Sequence, residues 1–364
     1  MPGQRRGARA GGCRRVGTAA LAAVGLAAAL SGCVGPASDA GADRARESIA
    51  LLLPEAKTAR YETFDRPLFE ARVRELGDHP VLYANAGQNA ATQQQQAESA
   101  LAAGAGVLVL DPVDADAAVS IVTAANAAGV PVISYDRLVA GGDIAYFVSF
   151  DNERVGRLQA TAFVEAVRDA GDGDGILMVN GSPTDGNADQ FRQGAHAVID
   201  RSGLRVLAEY DTPDWSPDKA QDWVAGQIAQ YGDEIAGVYA ANDGTAGGAI
   251  SALKAAGAEP FPIVTGQDAE LAAVQRIVVG DQYMTVYKAI RTQAEHAAEV
   301  AVALLRGEQV TAPTLVDGVP AVLLEPVPVT AGDIMATVVA DGFWTVGDIC
   351  SPPYADACAT AGIE

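Results

Sequence analysis

Residues 104–137 read GAGVLVLDPVDADAAVSIVTAANAAGVPVISYDR. Two short β-rich runs, 106–110 and 131–135, flank an Ala-rich helical stretch, 115–128. The stretch ends at Ala128-Gly129, where glycine suits a left-handed helix C-cap. A strand, a helix and a second strand in this order imply parallel strands joined by a helical crossover. The unit closes on the polar pair Asp136-Arg137.

The same rhythm extends both ways. Strands are expected at 49–53, 81–85 and 146–150, then at 175–180, 205–210, 237–241, 262–265 and 283–286. Helices are expected at 92–103, 155–170, 188–202, 219–230 and 245–256, with further Gly stops at Ala103-Gly104 and Ala256-Gly257. The fold class is therefore α/β, with two doubly wound parallel-sheet domains in series. Ligands of such folds sit outside the C-terminal ends of the strands. Polar pairs recur at those ends in both halves: Asp136-Arg137, Asp151-Asn152, Asn242-Asp243 and Gln267-Asp268. Helix capping explains one such pair more easily than the repetition.

Residues 1–33 read as a targeting segment outside the fold. Arg5, Arg6, Arg9, Arg14 and Arg15 precede an apolar stretch, 16–30, that fits a signal-peptide core. It ends in Leu30-Ser-Gly-Cys33, which resembles a bacterial lipobox. Cys33 is then the lipidated N-terminus, followed by a flexible tether, 34–47. The remaining chain suits two domains.

The chain has 25 basic and 46 acidic residues, a formal charge of −21. Without the five leader arginines the balance is 20 against 46, or −26. Such a chain does not bind nucleic acid by phosphate neutralisation. Cys350 and Cys358, eight positions apart, read as a disulfide in an exported protein. A zinc site needs more ligands than these, and His79, His196 and His296 are isolated. No metal or cofactor is expected. The motifs of P-loop, Rossmann, HExxH and GxSxG enzymes are absent, and the chain is not expected to be an enzyme. Gln93 to Gln96 read as a solvated polar run in a helix.

Six segments in order carry a resemblance to the bacterial D-xylose-binding proteins: Ser134-Tyr-Asp-Arg-Leu138, Val148-Ser-Phe-Asp-Asn-Glu-Arg-Val-Gly156, Gly181-Ser-Pro-Thr-Asp-Gly-Asn-Ala188, Ala241-Asn-Asp-Gly-Thr-Ala-Gly-Gly-Ala-Ile250, Gly266-Gln-Asp-Ala-Glu270 and Met284-Thr-Val-Tyr-Lys288. The resemblance runs from about residue 49 to 345. It implies the type I periplasmic-binding-protein fold, two lobes joined by a three-stranded hinge with the sugar in the cleft. The crossovers are expected near Phe150, Gln282 and Leu324. This assigns 48–150 plus 283–323 to the N-terminal lobe and 151–282 plus 324–345 to the C-terminal lobe. Residues 346–364 form a C-terminal extension.

The chemistry of the matched positions agrees. Each pyranose hydroxyl both donates and accepts, and charge-assisted bonds to it are the stronger ones. The resemblance places Asp136 and Arg137 on one lobe, and Asp185, Asn187, Trp215, Asn242 and Asp268 on the other, with Lys288 near the cleft. Trp215 is the candidate platform for an apolar sugar face. Arg60 and Tyr61 correspond to an Arg-Trp pair of the relatives, across a one-residue shift. Duller readings stand beside these: caps for Asp136 and Asn242, an Asx turn for Asp185 and Asn187, core for Trp215, surface for Lys288. Asp151 and Asn152 match a hinge motif; one of Asn242 and Asp243 reads as the cap of the following helix, and loss of Asp243 is expected to change affinity little.

The resemblance implies a monomeric, lipid-anchored receptor that hands D-xylose or a related monosaccharide to an ABC permease and its ATPase. Sensing through a chemoreceptor or kinase, and binding of glucose, galactose or arabinose, are the alternatives.

Overall fold

The computed structural model describes residues 47–363. The expected targeting segment and Cys33 lie outside them. The apolar runs form the strands. β1 (Ile49–Leu53), β3 (Val107–Leu110), β4 (Val132–Tyr135) and β5 (Tyr146–Phe150) are buried at every residue. Both faces of their sheet are covered, as parallel strands with helical crossovers require. Alternation along a strand divides the core in two. Leu51, Leu53, Val109 and Ile133 pack on one face, and Ala50, Leu52, Leu108 and Leu110 on the other. Each fully buried leucine of this kind contributes about 1.5–3 kcal/mol.

With β2 (Val81–Asn85), β11 (Thr314–Val316) and β12 (Val319–Leu324), the first sheet has the order β11-β12-β5-β4-β3-β1-β2. All its neighbours are parallel except β11 and β12. The second sheet contains β6 (Gly175–Asn180), β7 (Arg205–Asp211), β8 (Ile235–Ala240), β9 (Ile263–Gln267), β10 (Met284–Tyr287) and β13 (Val327–Val329). Its order is β13-β10-β9-β8-β6-β7. The strand order reverses between β1 and β3 in one sheet and between β6 and β8 in the other. These are the switch points at which doubly wound sheets open a crevice.

The chain passes between the lobes three times. It leaves the first sheet after Phe150, where Asp151 N donates to Leu324 O at 3.1 Å. It returns after β10, and leaves again between β12 and β13. The middle passage corrects the expectation near Gln282. β10 pairs with β9 (Met284 opposite Thr265) and with β13 (Thr285 opposite Val329), so it belongs to the second sheet. The crossing comes at residues 288–289, before the helix Ile290–Leu305, which packs on the first lobe. The turn at Gly280-Asp-Gln282 mimics a domain break because it separates a helix from this last parallel strand.

Two helices of the second lobe meet at glycines. A Cβ on Gly194 would lie 2.0 Å from Glu153 O, and one on Gly156 2.1 Å from Phe191 O. Any side chain there would force apart the helices Asn152–Ala170 and Gly186–Ile199. The second of these helices opens at the cleft.

The C-terminal segment folds onto the second lobe. Ile349, Cys358 and Ile363 are buried beside Val274, Ile277 and Val278 of the helix Leu271–Val279. Cys350 and Cys358 are bonded, S–S 2.07 Å. Among the described residues, no helix is long and apolar enough to cross a membrane.

Candidate ligand-binding site

The loops that follow β1, β4, β6, β7, β8, β9 and β10 converge on one cleft between the lobes. All ten residues expected to contact a ligand line it: Arg60, Tyr61, Asp136, Arg137, Asp185, Asn187, Trp215, Asn242, Asp268 and Lys288. All ten are buried.

Arg60 lies just before a π-helical turn, Tyr61–Asp65, an irregularity common at functional sites. Its guanidinium donates to Asp65 (2.7 and 2.9 Å), to Asp136 Oδ1 (2.9 Å) and to Gln293 Oε1 (2.7 Å). Burial pushes the Asp136 carboxyl up, but Arg60, Lys288 and Arg137 outweigh it and hold Asp136 below the usual carboxylate range. Asp136 is therefore a carboxylate, held by charged partners rather than by a helix start.

Arg137 reaches across the cleft. Its Nε lies 2.9 Å from Asp185 Oδ2 of the other lobe, and its Nη2 donates to Tyr61 OH at 3.1 Å. Asp111, wholly buried, lies 3.5 Å from the same Nε. Burial raises the Asp111 carboxyl well above its ordinary value, and Arg137 offsets only part of that. Asn187 Nδ2 donates to Asp136 O at 3.1 Å, a second link between the lobes.

Asp185 does two jobs. Its Oδ1 accepts from Asn187 N at 2.9 Å and caps the helix Gly186–Ile199. Its Oδ2 takes Trp215 Nε1 at 2.9 Å and faces Arg137. The Asx turn expected of this residue is present, and its other oxygen still faces the cleft. Trp215 lies against Gly181, where a Cβ would sit 2.0 Å from the indole; only glycine leaves room for the ring.

Asn242 caps the helix Asp243–Ala256 in a capping box with Thr245, and its side chain also lines the cleft. Lys288 is not on the surface. Its Nζ is 2.8 Å from Asp268 Oδ1 and 5.6 Å from the Phe191 ring. Asp136, Asp268 and Trp215 have φ of 59°, 98° and 53°. Left-handed backbone at non-glycine residues costs energy and gathers where geometry serves function.

Thr58, Phe191 and Gln267 also line the cleft; Gln267 belongs to the strand-end pair Gln267-Asp268, while no sequence motif marks Thr58 or Phe191. Gln267 Oε1 is buried and has no hydrogen-bond partner among the described residues. A buried acceptor left unpaired costs about 1–3 kcal/mol, so this atom suits a ligand donor.

Of the pair Asn242-Asp243, Asn242 is the cap and Asp243 is the first residue of the helix. Asp243 is wholly buried, accepts from Gln282 Nε2 (2.8 Å), Thr285 Oγ1 (2.9 Å) and Glu270 N (3.0 Å), and underlies the Asp268 loop. Burial raises its carboxyl to about 7, and raises that of neighbouring Glu270 to about 8. Gln93, expected in solvent, is buried and bonded to Asp111 O (2.7 Å) and Val113 N (2.9 Å), fixing the loop beneath Arg137.

A periplasmic binding protein domain matches residues 49–309. The chain belongs to the periplasmic binding protein family. The D-xylose-binding periplasmic protein of Escherichia coli (strain K12) is 37% identical over 303 residues, covering 81% of this chain and 90% of that protein. The D-xylose-binding periplasmic protein of Haemophilus influenzae is 36% identical, covering 82% and 90%. Among solved structures, an ABC transporter solute-binding protein from Clostridium phytofermentans with bound β-D-glucose superposes with TM-score 0.76 at 28% identity, covering 83% of this chain and 99% of that one. These relatives are binding proteins by name, not enzymes, and family members of this kind work outside the cytoplasm.

Proposed function

We propose that this chain is the sugar-capturing subunit of an ABC importer and takes D-xylose or a closely related monosaccharide into the cleft. One observation carries the reading. Three cations and three carboxylates, from both lobes, pair around one buried cleft that also presents Trp215, Phe191 and the unpaired Gln267 Oε1. Such a surface offers donors and acceptors to the ring of hydroxyls on a pyranose and an aromatic face to its carbon side. A neutral sugar needs both, and leaves the ion pairs intact. The identity to the two D-xylose-binding relatives makes xylose the first candidate.

The ligand set in this reading is Arg60, Tyr61, Asp136, Arg137, Asp185, Asn187, Trp215, Asn242, Asp268 and Lys288, with Gln267 and Phe191 added. The protein acts as a monomer. It is held outside the cell membrane by lipid on Cys33, which lies outside the described residues, and Cys350 and Cys358 are disulfide-bonded after export. The first lobe comprises residues 48–150 plus 290–324, and the second residues 151–287 plus 325–363. They close on the sugar about the three crossings.

A thermal-shift panel of D-xylose, D-glucose, D-galactose, L-arabinose and D-ribose tests the reading. A ligand at 100 times its dissociation constant adds about 2.7 kcal/mol of stability, so the cognate sugar raises the melting temperature and mannitol does not. Two relatives named as multiple-sugar-binding proteins, 32% and 35% identical, make shifts with several sugars the second reading. No shift with any monosaccharide overturns both.

A further inference from the structure

The C-terminal segment reaches beyond the lobe that carries it. The Phe343 ring stacks on Phe64 of the first lobe, centroids 4.0 Å apart and planes 18° apart. Trp344 meets Phe64 edge-on at 4.9 Å. Phe64 belongs to the π-helical turn Tyr61–Asp65, the turn that follows Arg60 and contains Tyr61. It is one residue from Asp65, whose carboxylate grips Arg60.

The other ends of this aromatic cluster are tied to the second lobe's share of the cleft. Trp344 Nε1 donates to Ala269 O at 2.8 Å, next to Asp268. Phe343 packs edge-on against Tyr287 at 5.1 Å, next to Lys288. Tyr287 OH in turn bonds Asp341. The segment beyond is anchored: Gln275 Nε2 donates to Asp348 O at 3.1 Å, and Ile349 and Ile363 are buried. Four groups that line the cleft, Arg60, Tyr61, Asp268 and Lys288, are thus each within a few residues of one aromatic cluster that spans the lobes.

We propose that Phe343 and Trp344 are positioning residues for ligand binding: by clamping Phe64 they fix the π-helical turn that delivers Arg60 and Tyr61 to the cleft when the lobes are together. Stacked and edge-to-face pairs prefer such centroid distances and add to simple burial. A stack between lobes is complete only in one arrangement of the lobes, so it favours the arrangement in which the sugar is enclosed. The inference rests on the proposed sugar-binding role only in its affinity arm.

The test compares the parent with Phe64→Leu, Phe343→Leu and the double variant, all as full-length exported protein. Amide hydrogen exchange at residues 61–66 is expected to rise in every variant with sugar bound and, by a smaller amount, without it, because the stack also biases the free lobes toward closure. D-xylose affinity is expected to fall roughly three- to tenfold in each single variant, through faster dissociation, with the double variant little worse than either single one. Trp344→Phe, which keeps a ring and loses the bond to Ala269, falls between parent and Phe343→Leu. Lower melting temperature with unchanged exchange at 61–66 overturns the proposal, as does increased exchange with unchanged affinity. If the parent binds none of the monosaccharides tested, the sugar-binding reading fails, and the exchange measurement alone decides the clamp.

Discussion

Arg137 of the first lobe and Asp185 of the second face each other across the cleft at 2.9 Å, both buried. Neither charge has water to turn to in this arrangement, so each is costly without the other. The pair therefore belongs to the closed state, and separating the lobes must rehydrate it.

A double-mutant cycle on this pair measures that link. Arg137→Met and Asp185→Asn should each weaken sugar binding about ten- to hundredfold, since each removes the opposite charge facing a buried ion across the cleft. The double variant should lose less than the two losses combined. Additive losses in calorimetric titration would show that the pair is not coupled in the bound state.

Trp215 contributes a ring face and an N–H. Trp215→Phe keeps the face and removes the bond to Asp185 Oδ2, at a cost of about 1 kcal/mol in binding. Trp215→Ala should cost more, because the stacked carbon face is lost too. Equal affinities for the two variants would exclude stacking.

Asp243 and Glu270 set a pH dependence on stability. Their folded values, about 7 and about 8, lie above the ordinary 3.8 and 4.5. The folded protein therefore binds more protons than the unfolded chain between about pH 4 and 8, and stability falls as pH rises through that window. The two groups interact and titrate together. The sugar-free melting temperature should be higher at pH 5.5 than at pH 8.5, and Asp243→Asn should flatten the difference. A parent curve that rises across this window contradicts the burial of these carboxyls as acids.

Cys33 should be the mature N-terminus and carry lipid. Mass spectrometry of native protein from membranes should find a diacylglyceryl adduct on it. An unmodified chain that starts elsewhere refutes the anchor.

Much of the site was legible because its residues follow strands, where short polar motifs stand out from apolar runs. Asp136-Arg137 after β4 and Gln267-Asp268 at the end of β9 are such cases. Phe191 carries no motif of its own; it lies one helical turn beyond Asn187, and the helical repeat puts it on the same face. The supporting shell was not legible. Gln293 meets Arg60 from 233 residues away, Asp111 meets Arg137 through the fold alone, and nothing local separates Asp65 from a surface acid. The middle crossing was misplaced for the same reason: the lobe a strand joins depends on pairing, and β10 looked like either. Asp243 followed a recognised cap residue, and its burial depends on Gln282 and Thr285, about 40 positions on.

The central claim is that a neutral sugar is held between the lobes by these paired charges. Calorimetric titration of D-xylose into the parent and into Asp268→Asn, with X-ray scattering of the parent on the same samples, tests it most directly. Asp268→Asn loses its charged bond to Lys288 and should bind at least tenfold more weakly, a loss of about 1.4 kcal/mol, while the parent compacts on adding sugar. Equal affinity of parent and variant, or saturation of the parent without compaction, would contradict the account.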